Sequence, residues 1–359
     1  MGYEIDFLPA GNGEKSGDAI AFRLGNLKGN RSEQMVVVID GGFKETGEEL
    51  VQHIKKYYNT SHVDIAISTH PDADHAAGLM VVLEQMTVGQ LWMHQPWNHT
   101  DDIANMFVDG RVTDDGVREK LRKALEDSRQ LETLANRKKI PIYEPFAGMK
   151  DSTGFITVAG PTEEYYESLL PEFRATPAPK MSFLERTIEA GVGLLAKVAE
   201  AWGVETLTDE GETSAENNSS VILRICYDGK NLLLTGDAGM PALTNAADYM
   251  EFILGADPSE WDFAQVPHHG SKRNVGPTIL NRIVGPKLSE QTKKMTAFVS
   301  ASKDGEPKHP AKKVTNAYLR RGAPVHATKG TTKRHSHEAP DRPGWSASTP
   351  LPFYGEVDE

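Results

Sequence analysis

Apolar residues in this chain fall mostly in short runs separated by glycine turns, with charged stretches of helical spacing between them. Tyr3–Leu8 partly alternates, and Ala19–Leu24 follows a glycine-rich turn, so both read as strands. Met35–Ile39 is apolar and largely β-branched and closes on Asp40-Gly41-Gly42, which predicts a buried strand ending in a turn. Glu48–Tyr58 carries Leu50, Val51, Ile54 and the Tyr57/Tyr58 pair at helical spacing, and Val63–Ser68 then forms a strand that runs into His70. Strand, helix and strand in alternation predict layered α/β construction.

Further along, Ala77–Gln85 reads as a helix, Gln90–His94 as a strand, and 115–138 as one long charged helix with Leu121, Leu125, Leu131 and Leu134 on its apolar side. Ile140–Tyr143 and Gly154–Val158 read as short strands. The pattern then breaks over residues 161–215, which hold Thr176-Pro177-Ala178-Pro179, an amphipathic helix around Phe183–Trp202 and an acidic stretch, Asp209–Glu212. This segment reads as an insertion between core elements. Ser220–Ile225 turns at Asp228-Gly229 and returns through Asn231–Leu234 to Asp237, a hairpin pattern. Phe263–Val266 ends before His268, and Ala297–Ser300 lies upstream of His309. Beyond Thr328 the chain is polar and reads as irregular. The expectation is one domain over residues 1–345 and an irregular tail, 346–359.

Composition narrows the class. No apolar run approaches the roughly 20 residues that span a bilayer, and the N-terminus has no basic stretch before an apolar one. The single cysteine, Cys226, fits a reducing compartment, so a cytoplasmic protein without membrane contact is expected. Net charge is −12, but residues 268–342 carry 16 Lys+Arg against 5 Asp+Glu, a local +11 that leaves −23 elsewhere. Such a basic segment suits an anionic substrate such as nucleic acid, and equally an ordinary solvated surface.

The chemistry concentrates in His70-x-Asp72-x-Asp74-His75. Two imidazoles and two carboxylates at a strand end, on a loop, converge as a helix would not allow. The set suits Zn, Mn or Fe, with the carboxylates favouring the harder ions. His268-His269-Gly270-Ser271 also follows a strand. One of these histidines could ligate metal or protonate a leaving oxygen, while Ser271 and Lys272 could hold a phosphate. Trp92 and Trp97 fit a core better than a base-stacking wall.

Ser68-Thr69-His70-Pro71-Asp72-Ala73-Asp74-His75-Ala76-Ala77-Gly78 resembles the signature loop of the metallo-β-lactamase superfamily. More closely, it is similar to the hydrolase domain of ComEC-type DNA-uptake proteins. Other motifs follow that family in order: the glycine turn before Asp18-Ala19-Ile20, Val38–Gly42, Asn217–Val221, Leu234–Ala238, Val266–Ser271 and Lys308–Pro310. The resemblance implies an αββα four-layer sandwich with a helical insertion, holding two divalent ions, Zn or Mn. It implies that Asp237 bridges them, that His70 and Asp72 hold the first, and that Asp74 and His75 hold the second. His309, His268 or His269 completes the second site, a choice the sequence leaves open. Asp40 would orient a ligand, and Asn218, Ser219 and Ser271 would lie near ligands or substrate.

The sequence departs from the broader superfamily in two places. Asp72 stands where histidine is usual, and Glu216-Asn217-Asn218 stands near another usual histidine, so the first site becomes rich in oxygen donors. The function implied is hydrolysis of a phosphodiester, nucleic acid first, by water activated near neutral pH. Asp74, His269 and Lys272 are the candidate catalytic groups. A small phosphodiester, a phosphocholine ester or a lactone is the alternative substrate. A scaffold or regulatory partner without turnover is the reading from another class. A homodimer is compatible with all three, and the oligomeric state is not legible.

Overall fold

The computed structural model describes residues 1–12, 15–179, 197–303 and 309–358. Strand β1 (Gly2–Phe7) is followed by a small ribbon, β2 (Gly11–Asn12) with β3 (Lys15–Ser16). Then come β4 (Ala19–Gly25), β5 (Gln34–Gly41), β6 (His62–Ile67), β7 (Thr87–Trp92) and β8 (Ile142–Tyr143). The second half supplies β9 (Ile156–Gly160), β10 (Lys197–Ala199), β11 (Ile222–Tyr227), β12 (Lys230–Leu234) and β13 (Phe263–Gln265). It closes with β14 (Thr296–Val299), β15 (Val325–Ala327), β16 (Lys333–His337) and β17 (Glu356–Asp358).

These strands build two sheets, in the orders β16-β1-β4-β5-β6-β7-β8 and β15-β14-β13-β12-β11-β9. Both are mixed: β5 to β8 and β12 to β15 run parallel, while the remaining pairs are antiparallel. Alternation explains how they face each other. Tyr3, Ile5, Phe7, Ile20 and Phe22 enter the space between the sheets, where Phe7, Phe263 and Phe298 meet edge-on with centroids 5.0 to 5.8 Å apart.

Helices α1 (Lys44–His53), α2 (Ala73–Gln85), α3 (Asp114–Ala124) and α4 (Glu126–Lys138) pack their apolar sides on the outer face of the first sheet. After the short helices α5 (Glu163–Leu169) and α6 (Ala215–Asn218), helices α7 (Met240–Asp248), α8 (Pro277–Ile283) and α9 (Lys312–Arg320) cover the second. The architecture is the expected four-layer αββα sandwich. Among the described residues no helix is long and apolar enough to cross a membrane.

Several local expectations change. The hairpin turn is as read, with Asp228 and Gly229 both at positive φ (52° and 72°), the geometry that matches strand twist. The single helix over 115–138 is two helices, broken at Leu125 (φ −106°, ψ 50°). The break brings Leu121, Leu125, Leu131 and Leu134 all into the core. Most of the helix expected at Phe183–Trp202 lies outside the described residues, and its Lys197–Ala199 portion is a strand. That strand pairs with Glu356–Asp358 in the stretch read as an irregular tail. Lys-Arg-His-Ser-His at 333–337, also read as irregular, is an edge strand on β1, because pairing supplies its backbone bonds without any apolar periodicity.

The basic C-terminal segment is engaged internally to a large extent. Arg320 pairs with Glu200 at 3.0 Å and Arg321 with Glu205 at 2.6 Å. Arg334 and Arg342 pair with Glu4 and Asp6, and Arg282 with Asp248 and Glu251.

Candidate metal centre

The C-terminal ends of the parallel strands point to one edge of the sandwich. Asp40 ends β5, Thr69 and His70 follow β6, Asp237 follows β12, and His268 and His269 follow β13. Strand β4 runs the opposite way, so Asp18, the residue just before it, reaches the same edge. The His70 cluster is not all loop, as the sequence suggested. Asp72 has extended backbone and stands at the N-cap of α2, and Asp74 and His75 lie in the helix's first turn. The helix starts early because His75 and Ala76 N–H both donate to the Asp72 carbonyl (3.1 and 2.9 Å).

Asp237 Oδ2 is the focus. His75 Nε2 lies 3.4 Å away, His268 Nε2 3.7 Å, and His70 and His269 Nε2 both 3.9 Å. The Nε2 atoms of His70, His75 and His269, and Asp237 Oδ1, are buried without a hydrogen-bond partner. Buried polar atoms are ordinarily paired, so four orphans aimed at one point mark a place built for a cation. Four ligand groups with converging atoms overlap here: His70–His75–Asp237, Asp74–His75–His269, Asp18–Asp237–His269 and Asp18–Asp40–His75.

Each imidazole is turned by a partner on its far nitrogen. His75 Nδ1 donates to Asp40 Oδ2 at 2.8 Å, and the same carboxylate accepts from Thr69 N and Oγ1 (2.8 and 2.7 Å). Asp40 therefore orients a ligand imidazole, as expected from its strand-end position. His269 Nδ1 donates to the Ser300 carbonyl at 3.2 Å. His268 Nδ1 lies 2.8 Å from Asn274 Oδ1, and the Asn274 amide donates to the carbonyls of Asp237 and Ala238 (2.8 and 3.3 Å). His268, His269 and Gly270 all have positive φ (45°, 54° and 79°), a conformation that costs non-glycine residues energy and aims successive imidazoles at one centre.

Electrostatics follow from this packing. Burial raises the Asp237 carboxyl, but His268, His75 and His269 outweigh it and hold that group well below the usual carboxylate range. Burial pushes His70 well down, helped by His75 beside it. For His75 burial is overcome by Asp237 and Asp40, and its pKa rises well above the ordinary value. Burial lowers His269 to about 4 and raises Asp18 to about 7.

The other expected residues are distributed unevenly. Asp72 Oδ2 lies 3.8 Å from His70 Nε2, while its Oδ1 is engaged by Arg174, which also binds Glu216. Asn218 is buried beside Gly239, next to the Asp237 loop. Ser219 turns away and donates to the Glu216 carbonyl at 2.6 Å, and Ser271 Oγ accepts from Arg273 N at 3.2 Å. Lys272 is exposed on the histidine loop. His309 is half-buried and is not a member of the converging ligand groups. The segment after it packs on the histidine loop, where Ala311 N donates to the Gly270 carbonyl at 2.9 Å. Trp92 and Trp97 are core residues.

Sequence reasoning missed Asp18, Asn274, Arg174 and Gln265. Gln265 donates to Asp18 at 2.8 Å and accepts from Thr235 and Gly236 N–H (2.9 and 3.1 Å), which ties β12, β13 and β4 together at the site. Only Asp18 had a sequence signal, a carboxylate directly after a glycine turn and before an apolar strand.

No family model matches the chain, and no curated protein matches it. Among solved structures, it is similar to a diphosphatase from the PhnP family at 8% identity (94% of this chain, 98% of that one, TM-score 0.41). It is similar to the CmlA β-hydroxylase at 10% identity (93% and 53%, TM-score 0.41). It is also similar to a metallo-β-lactamase of Cronobacter sakazakii at 11% identity (69% of each chain, TM-score 0.29). These similarities are weak in sequence and in superposition, and the site geometry carries the functional reading.

Proposed function

We propose that this chain is a metal-dependent hydrolase that cleaves phosphodiesters with water. The observation that carries the reading is the set of buried, unpartnered Nε2 atoms gathered around the Asp237 carboxylate. Mixed imidazole and carboxylate donors fit Zn²⁺ or Mn²⁺. His70, His75 and Asp237 would hold a first ion, with Asp72 beside it. His269, Asp74 and Asp18 would hold a second, with Asp237 common to both. Bound divalent ions supply Lewis acidity that makes water nucleophilic near neutral pH and offsets charge on the phosphoryl oxygens.

The chain's own groups divide the remaining work. Asp40, Asn274 and the Ser300 carbonyl keep Nε2 of three imidazoles facing inward. Asp74, in the first turn of α2, accepts the proton of the attacking water. His268 is the most exposed of the four imidazoles, its side chain 30% accessible, and protonates the leaving oxygen, while buried His269 belongs with the ligands. The sequence left the choice of ligand between these histidines open and named His269 among the candidate catalytic groups. Lys272 is the cation at the rim that steadies a non-bridging phosphoryl oxygen, while Arg174 is held by Asp72 and Glu216. The motifs resembling ComEC-type hydrolases and the metallo-β-lactamase superfamily support the same chemistry.

The test is a chromogenic one. Purified protein loaded with Mn²⁺ or Zn²⁺ should hydrolyse bis(p-nitrophenyl) phosphate, and Asp237→Ala should abolish that activity. Folded, metal-loaded protein without cleavage under any divalent ion overturns the reading. Binding of less than about one ion per chain supports the scaffold alternative, because this catalysis depends on bound metal.

A further inference from the structure

Beside the centre lies a cavity of about 470 Å³. Three segments that shape the centre also line it. Thr213, on the wall, accepts from Asn217 Nδ2 at 2.6 Å, and that amide lies 3.2 Å from His268 Nδ1. Arg273, also on the wall, directly precedes the Asn274 that holds His268. Met240, a third wall residue, opens α7 shortly after Asp237. The cavity therefore adjoins the loop that carries His268 and lies next to the centre.

Its surface is not that of a nucleic-acid track. Leu169, Ala215, Met240, Pro241 and Ile279 give part of its wall an apolar surface. Several of its polar groups are turned to their own backbone or neighbours. Thr244 donates to the Met240 carbonyl (2.8 Å), Thr278 donates to Asp209 (2.7 Å), and Ser214 caps α6. The charged groups on its wall are three carboxylates, Glu172, Asp209 and Glu212, and one cation, Arg273. Elsewhere, arginines 282, 320, 321, 334 and 342 of the basic segment are held in internal ion pairs, so they do not form a phosphate-binding stripe. A cavity of this size matches the pockets that enclose small organic ligands.

We infer that this cavity receives the non-reacting arm of the substrate, and that the substrate is a small phosphodiester with a compact apolar arm. This inference rests on the hydrolase reading above. In the reaction, water oxygen bonds to phosphorus and the phosphorus–oxygen bond to the leaving group breaks. The leaving oxygen takes a proton, and the arm stays on the phosphomonoester product.

Two diesters that share a p-nitrophenolate leaving group test it, phenyl p-nitrophenyl phosphate and methyl p-nitrophenyl phosphate. The nucleoside diester thymidine 5′-(p-nitrophenyl phosphate) and single-stranded DNA are run alongside. The phenyl ester should exceed the methyl ester in kcat/KM by on the order of 10-fold after correction for chemical reactivity, as expected for filling an apolar pocket. Thr244→Trp, which fills the cavity from α7, should bring that ratio to within about twofold, with far-UV circular dichroism and metal content verifying the fold. Equal rates for phenyl and methyl esters, a ratio that Thr244→Trp does not move, or preference for the nucleoside ester or DNA overturns the inference while leaving the hydrolase intact. If no diester is cleaved, the hydrolase reading fails, and calorimetry with diphenyl phosphate still decides the cavity. Binding that weakens by on the order of 10-fold in Thr244→Trp supports the cavity's role, and binding that is absent or unchanged overturns it.

Discussion

Two regions of this molecule bury carboxylates among cations, and they do so in opposite ways. At the outer face of β1, Glu4 and Asp6 are fully buried beneath α1 and the 333–345 segment, and every carboxylate oxygen accepts a hydrogen bond. Glu4 is bound by Arg23 (2.6 Å) and Arg334 (2.5 Å), and Asp6 by Arg342 (2.9 and 2.7 Å) and Tyr58 (2.7 Å). At the strand-end edge, Asp237 is just as buried, but its surrounding imidazoles stop 3.4 to 3.9 Å short and one oxygen has no partner. The first cluster is closed and holds the chain together. The second keeps its donors facing a common point, which is structurally expensive and makes sense where a cation completes it.

The contrast can be broken experimentally. The largest effect expected is on chemistry: Asp237→Ala should lower kcat/KM for a chromogenic diester by on the order of 10⁴-fold and release bound metal, read by steady-state kinetics and elemental analysis. Asp6→Ala should do the reverse. It should cost about 3 kcal/mol in denaturant unfolding, because buried Arg342 loses both hydrogen bonds to Asp6 and keeps only its ion pair with Glu4, with metal content unchanged. A loss of metal in Asp6→Ala would erase the distinction between the two clusters.

A smaller effect separates the ligands from what orients them. Asp40→Asn should weaken metal binding or activity by roughly 10- to 100-fold, measured by competition with a chromogenic chelator. The smallest expected effect lies away from both clusters, at His99. The hydrogen bond to Glu144 (2.7 Å), with Glu167 adding to it, raises this imidazole to about 9. Its folded pKa thus exceeds the ordinary unfolded value of about 6.5. The stabilisation is full below that unfolded value and fades as pH rises through 9. Urea midpoints should therefore decline between pH 7 and 10 in the wild type, and more shallowly in His99→Gln.

The legibility of these regions in the sequence differs for physical reasons. His70, Asp237, His268 and His269 each sit just past a strand end, and Asp74 and His75 in the helix turn that follows, where local pattern and residue type announce a site carrying chemistry. Asp18 and Asn274 act through contacts made only when distant strands align, and Asn274 in particular looks like any loop asparagine. The β1 cluster was hidden by its alternation. Glu4 and Asp6 occupy the polar positions of a partly alternating strand, which normally mark solvent, and nothing local foretells that Arg334 and Arg342 will arrive to cover them. The layered architecture was legible because period-2 and period-3.6 patterns are local. The strand at 333–337 was not, because an edge strand needs only a neighbour with open backbone groups.

That last strand has a consequence for synthesis. Tyr3 bonds to His335 across 332 positions of chain, so β1 is made long before this neighbour and pairs with it only once residues 333–337 exist. While it waits, an apolar strand with an open edge invites pairing with the wrong partner, including another nascent copy. Arg23 on β4 already balances Glu4, but Asp6 leaves the waiting strand a negative charge on that face until Arg342 arrives. The carboxylates that look like a burial problem in the finished protein are thus charges on an open strand, covered only when residues 333–342 join it.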